Sequence, residues 1–501
     1  MPVRSLAPFA LLLPGAVAAH PAESGFYIAH FEHVLGTSLT VKLAASSLAA
    51  ARRAERVALA EITRLEATLS GHRPDSEFGR WLSAPLGEVR VVSDDLFTVL
   101  SHFDHWREQT AGALNPAAEH LAHLWQATAP AGQSPTEADR FGAVAAVGQT
   151  HWRLDAEART ATRLTAVPLR LHSFAKSYVL DRAADAALAV PGVDGLVLNG
   201  GGDLLVRGTW RETVAVANPR APAENAAPIA RIAVQNAAVA TSGAYRRGLR
   251  VGAEWVSHLF DPRTGLPARA IASATVLHPD ALTAGALATA FAVLTPDESA
   301  ALAARQPGAE YLLVPRDGQP LTSPGWPGLA PPLSENKPTP TRAYLLSVRK
   351  EKPWNPNQEL LITLELPRFE GRSHRPFVAV WIEDEAGKPV RQVALWYNKP
   401  RWLRELREWY NLRADDAATS VTSATRSPGQ YTLVWDGKDD QGRFVRQGNY
   451  AVVIEAAREH GTYQLIRQVM DFNGKPKQQA LNGNVEISTA ALDYREKGTA
   501  R

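Results

Sequence analysis

The chain has 501 residues, 45% of them hydrophobic and 21% charged, with a formal charge of +3 and no cysteine. Domains cluster at roughly 100–200 residues, so a chain of this length is expected to hold at least two. The composition excludes a disordered chain or a membrane bundle, the mild charge excludes a nucleic-acid protein, and the lack of cysteine excludes disulfides, thiolate metal sites and thiol catalysis.

The first segment, MPVRSLAPFALLLPGAVAAHPAES, combines Arg4, an apolar run from Leu6 to Val17 and small residues at Ala16, Ala18 and Ala19. That is the pattern of a cleaved secretory signal over 1–19, too short to span a bilayer, and it predicts a periplasmic protein. From 26 to 333, strand-like runs (SLTVKLAAS, GLVLN, IASATVL) alternate with helix-like ones (ARRAERVALAEITRLEATL, FAKSYVLDRAADAALAV). This predicts an α+β domain, a mixed sheet layered with helices. A Pro- and Gly-rich stretch follows, with the linker placed at 334–342. Short alternating runs broken by EDEAGKP and DGKDDQG turns then predict a small all-β sandwich over 343–475. It is interrupted by one helix-like insert, PRWLRELREWYNLR, expected to pack on the sandwich itself. The remainder, 476–501, reads as a polar, loosely ordered tail.

Four stretches of the first domain carry groups suited to chemistry. In NGGGDLLVRG (Asn199–Gly208), three glycines allow a tight bend or a close backbone approach, and Asp203 offers a carboxylate there. FAKSYVLDRAADAAL places Lys176 and Asp181 near a helix start, where a lysine and the helix dipole together favour a phosphate; a solvated surface pair accounts for it equally well. ATSGAYRRG supplies Thr241, Ser242 and Gly243, consistent also with an ordinary polar turn. In SHLFDPRTGLP, His258 has the side chain suited to proton transfer near neutrality. His258 and Asp261 fall on opposite faces of an extended strand unless the Asp-Pro bend turns one of them.

Taken in order, FEHVLGTSLTV, SGHRPDSEFGRWL, TAGALNPAAEHLAHLW, FAKSYVLDRAADAAL, NGGGDLLVRG, VATSGAYRR, SHLFDPRTGLPA and TAGALATAFAVL resemble the motif succession of the ApbE family of FAD:protein FMN transferases. The resemblance implies an exported enzyme that uses magnesium, cleaves FAD and attaches FMN to a threonine hydroxyl of an acceptor protein, releasing AMP. It implies His258 as base or proton shuttle, and FAD contacts at Leu35, His72, Ala113, Leu114, Asn115, Lys176, Leu259 and Ala288. Magnesium would take the main-chain carbonyl of Ser173 and the hydroxyl of Thr289. The partner would be a protein carrying the threonine to be flavinylated, with the membrane met only through that acceptor. The second domain resembles a periplasmic domain of unassigned function found behind such enzymes, and its strands are similar to immunoglobulin-like strands of flagellar hook-cap proteins.

The chain departs from the family pattern at several points. Leu35 stands for Met, Asn115 and Arg170 for Asp, Ser177 for Gly, Ala244 for Asp, and Gly285 for the metal-binding Asp of the Ala-Asp-Ala-Leu-Ala-Thr-Ala helix. Positions 285 and 289 lie one turn apart on one helix face, so the loss removes one of two neighbouring oxygens. Asp280 substitutes only if the helix begins late and the chain turns back. A degenerate FAD-binding carrier or sensor is therefore the alternative to an active transferase.

Overall fold

In the computed structural model, the described residues are 25–330 and 352–498, apart from 222, 224, 245–247, 369–374, 398–399, 414–421, 424–425, 427 and 460. The expected signal at 1–19 and the expected linker at 334–342 lie outside them.

An eight-stranded antiparallel sheet forms the middle of the first domain. Its first six strands, taken across the sheet, are Gly25–Val34, Thr37–Ala45, Val193–Gly200, Asp203–Gly208, Ala237–Gly243 and Ile271–His278; Glu310–Pro315 and Leu321–Thr322 complete it. Strand Val193–Gly200 is apolar on both faces because both are covered. Leu196 and Leu198 face the helices, whereas Val197 joins Val206, Ile232 and Trp326 under a two-stranded ribbon formed by Glu212–Val216 and Ala230–Val234.

The helical layer starts with Leu48–Leu69, capped by Ser47, whose hydroxyl accepts from the Ala50 amide at 3.2 Å. Its Ala51, Ala54, Ala58, Ile62, Leu65 and Leu69 recur at helical spacing and are buried. Two further helices matter for the site: the lysine helix, Ala175–Leu188, and the alanine helix, Ala281–Phe291. The alanine helix is apolar nearly all round and buried, as expected of a helix inside a core. Asp280 caps it, accepting from the Thr283 amide at 2.7 Å. The helix therefore begins just after Asp280 and runs on past Thr289. Nine residues separate the two, roughly 13 Å at 1.5 Å per residue, so Asp280 does not reach Thr289.

The C-terminal region is a sandwich of a four-stranded and a five-stranded sheet. Strand Gln358–Leu366 alternates buried and partly exposed residues, sending Leu360, Ile362, Leu364 and Leu366 inward. Trp354 packs against Trp435 and Tyr494 with ring centroids 4.8 and 5.5 Å apart. Strand Phe377–Glu383 is buried at every residue, because the insert covers its outer face with Leu403, Leu406 and Trp409. The insert's short helix, Arg407–Arg413, is held by buried Glu455, which accepts from the Glu408 and Trp409 amides at 2.9 and 2.8 Å. Packing of the insert on its own sandwich is thus what the structure shows.

The expected loose tail is corrected. Lys477–Asn482 and Thr489–Glu496 are strands, and the latter pairs with Gln358–Leu366 along its whole length. Ala490, Leu492 and Tyr494 point into the core, so the sandwich runs to Glu496 rather than ending at 475. Leu492→Ala is expected to cost about 2–5 kcal/mol in urea unfolding; a loss below about 1 kcal/mol would show that this strand does not belong to the core.

Candidate active site

A cavity of about 550 Å³ opens where the sheet, the lysine helix and the alanine helix meet. Its wall includes Ala113, Leu114, Asn115, Ser173, Lys176, His258, Leu259, Ala288 and Thr289, which lie far apart in the chain. Leu35 and His72 are not on this wall. Leu35 has a positive φ of 52° in the turn between the first two strands, and its amide donates to Glu66 Oε1 at 2.8 Å, which ties the turn to the long helix. His72 is exposed on the loop after that helix.

The glycine-rich stretch is a two-residue hairpin turn. Gly200 pairs with Asp203, and Gly201 and Gly202 take φ of 65° and 106°, the left-handed region open to glycine. The turn brings Asp203 to the cavity, where its Oδ2 lies 3.6 Å from Lys176 Nζ in the first turn of the lysine helix. Enclosure by protein pushes the Asp203 carboxyl above its ordinary range, and the ammonium of Lys176 opposes that shift. Asp181, further along the helix, instead meets Arg207 Nη2 at 2.6 Å and takes no part in the cavity.

His258 follows strand Glu254–Ser257 and is half-buried on the cavity wall. The loop that carries it is closed by the Asp261 amide donating to Leu266 O and the Gly265 amide donating to Asp261 O, both at 2.8 Å. Trp125 Nε1 donates to Gly265 O at 3.0 Å and anchors the turn to helix Ala118–Thr128. The bend turns Asp261 off the cavity wall. Arg263 grips it through Nε and Nη2 at 2.9 and 2.8 Å and reaches Glu298 Oε1 through Nη1 at 2.7 Å. Asp261 is therefore a brace for the histidine loop.

His172, which carried no motif signal, also lies on the wall. Desolvation lowers its pKa, Glu119 works against this, and Arg170, His258 and His72 reinforce it. Arg170, where the family pattern has Asp, donates to Gly71 O at 2.6 Å and to Glu119 Oε1 at 3.2 Å. Asn115 spends its side chain on the fold: Nδ2 donates to Val147 O at 3.1 Å and Oδ1 accepts from the Ala117 amide at 2.9 Å. Any contact it makes with a ligand is left to its backbone or to its outer edge.

The ApbE family profile matches residues 35–313, more than half of the chain. The chain belongs to the ApbE family. A second profile, described as "Predicted periplasmic protein (DUF2271)", matches residues 359–489. Relatives named FAD:protein FMN transferase include one of Haemophilus influenzae, 28% identical across 50% of this chain and 76% of its own length. Another, of Treponema pallidum, is 28% identical across 56% and 83%. Among solved structures, the ApbE protein of Thermotoga maritima is 25% identical with a TM-score of 0.55, covering 62% of this chain and 100% of its own. The apo flavinyl transferase ApbE of Pseudomonas stutzeri is 25% identical with a TM-score of 0.51, covering 61% and 97%. The α+β first domain and the separate all-β region agree with these similarities. No described helix is long and apolar enough to cross a membrane.

The family resemblance implies magnesium, and the donors present decide whether it fits. Thr289 Oγ1 donates to Ser173 O at 3.0 Å, so the two expected ligands are hydrogen-bonded to each other. Both are neutral, and Gly285 adds no oxygen. Of the carboxylates nearby, Glu119 pairs with Arg170 and Asp261 with Arg263, while Asp203 faces the Lys176 ammonium at 3.6 Å. Among the described residues no cluster of three or more acidic or histidine side chains has the geometry to hold a metal. Magnesium is usually bound through at least one carboxylate besides substrate phosphate. This donor set does not fit a resident magnesium ion.

The brace under the histidine loop has a pH signature. Arg263, followed by the Thr295 amide, holds the Glu298 carboxyl down at about 2. A depressed folded-state pKa gives stability that is complete above the unfolded value near 4.5 and is lost as pH falls toward 2. Glu298 is 41% exposed, so the contribution is no more than about 1 kcal/mol. Glu298→Gln, which keeps the helix cap, is expected to flatten the stability profile between those pH values in urea titrations. An unchanged acid limb would remove the brace from the energetics.

Proposed function

We propose that this chain is an exported flavin transferase that moves FMN from FAD to a threonine hydroxyl of an acceptor protein, with AMP as the leaving group. The observation that carries the reading is the meeting of Lys176, at a helix N-terminus, with His258 on the wall of one cavity. Its volume of about 550 Å³ lies within the usual range for cofactor pockets. The family membership and the names of the relatives support the same activity.

In this reading Lys176 and the first turn of its helix bind the pyrophosphate, drawing negative charge to the positive end of the helix. The threonine oxygen attacks the FMN phosphorus. One phosphorus–oxygen bond forms, the pyrophosphate bond to AMP breaks, and AMP leaves with that electron pair. His258 takes the hydroxyl proton, a role suited to an imidazole near neutral pH. The loop braced by Arg263 keeps His258 in place, and Ala113, Leu114 and Leu259 supply apolar wall and limit access of water. The match of 359–489 to a predicted periplasmic family supports action on the far side of the inner membrane, with the membrane met only through the acceptor.

A second reading, an FAD carrier that transfers nothing, is favoured by one observation, the missing carboxylate at Gly285. Incubation with FAD and a threonine-bearing acceptor separates the two. The transferase gives covalent flavin fluorescence on the acceptor in a denaturing gel and equimolar AMP, and the carrier gives neither. His258→Ala is expected to slow transfer by about 10²–10⁴-fold with little change in FAD affinity. Lys176→Ala is expected to weaken FAD binding on the order of tenfold, measured by quenching of flavin fluorescence. Transfer at full rate by the His258 variant would overturn its assignment as the base.

A further inference from the structure

The alanine helix crosses the lysine helix at Gly285. A Cβ placed at position 285 would lie 2.5 Å from Ser177 Oγ, 3.2 Å from Ser177 Cβ and 3.3 Å from Phe174 Cβ. Rotating the serine hydroxyl removes the first contact only. The other two atoms are fixed to the lysine-helix backbone, and that backbone is held from behind, since Phe174 is fully buried with its ring 4.3 Å from that of Phe103. Ser177 is itself 4% exposed. A side chain at 285 thus requires the serine hydroxyl to turn away and the lysine helix to give by a few tenths of an ångström at Ser177 and Phe174.

We propose that Ser177 and Gly285 are a mutually exclusive packing pair, and that the cavity accordingly takes its phosphate ligand without a divalent cation held by the protein. Only the identity of that ligand as FAD rests on the transferase reading. The charge on the wall fits this arrangement. Arg170 and Glu119 neutralise each other at 3.2 Å, whereas Lys176 sits 3.6 Å from Asp203, beyond a good hydrogen bond. Its three donors can be shared with an incoming phosphate. Removing a carboxylate from position 285 also removes a negative charge that only a metal would otherwise reconcile with pyrophosphate.

The test uses the full chain, with Mn²⁺ as the metal probe and FAD absent. Electron paramagnetic resonance is expected to show no stoichiometric Mn²⁺ binding tighter than about 1 mM. FAD affinity in EDTA and in magnesium should agree within about twofold. Gly285→Asp alone should lower Tm and bind no manganese, because Ser177 occupies the space. The double variant Ser177→Gly with Gly285→Asp should recover Tm and bind one Mn²⁺ per chain. Wild-type protein that holds one Mn²⁺, lost in Thr289→Ala, would overturn the proposal. So would a Gly285→Asp variant as stable as the parent that binds the ion unaided. Failure of FAD to bind under every condition would instead refute the flavin reading, and the manganese measurements would still decide the packing pair.

Discussion

The close crossing of the lysine helix and the alanine helix positions most of the cavity. The alanine helix lies near enough for the Thr289 hydroxyl to donate to Ser173 O at 3.0 Å, just before the lysine helix begins. Glycine and alanine make this approach possible, because each larger side chain would hold the backbones apart. A helix interior glycine costs about 1 kcal/mol relative to alanine, so Gly285 is retained against local propensity. The contact with Ser177 supplies the reason. Lys176, one residue before Ser177, is in turn delivered to Asp203 on the hairpin across the cavity.

Around that crossing, the polar groups divide into those that face the cavity and those that hold its walls. Lys176, His172 and His258 face it. Asp261, Arg263 and Glu298 fix the histidine loop from behind, and Asn115 pins its own loop with both ends of its amide. A loop residue's backbone is the more dependable instrument where its side chain is already engaged. That division explains how a motif can drift in side-chain identity at Asn115 while the segment still reaches the site.

Much of this was legible in the sequence, for physical reasons that differ by segment. The glycines before Asp203 announced a tight bend because a φ such as the +106° of Gly202 is open to little besides glycine. The small-residue run from Ala281 to Phe291 fits a buried helix because all of it but Thr283 and Thr289 is apolar. The final strand was missed because half of it faces solvent: in TAALDYRE only alternate residues enter the core, and the bulk composition looks like a tail. His172 and the Arg170–Glu119 pair were missed because their meaning comes from partners on other elements. The placement of Leu35 and His72 off the wall likewise depends on where two loops turn, which pattern alone does not specify.

The interlock of Ser177 with Gly285 also has a consequence for descent. With serine at 177, any side chain at 285 meets the serine hydroxyl at 2.5 Å and its Cβ at 3.2 Å. An acid introduced at 285 alone meets that contact, so its return is eased by a change at 177. The pair acts as a ratchet: once it is in place, selection on stability alone keeps the acid out, whether or not the chemistry would benefit from its return.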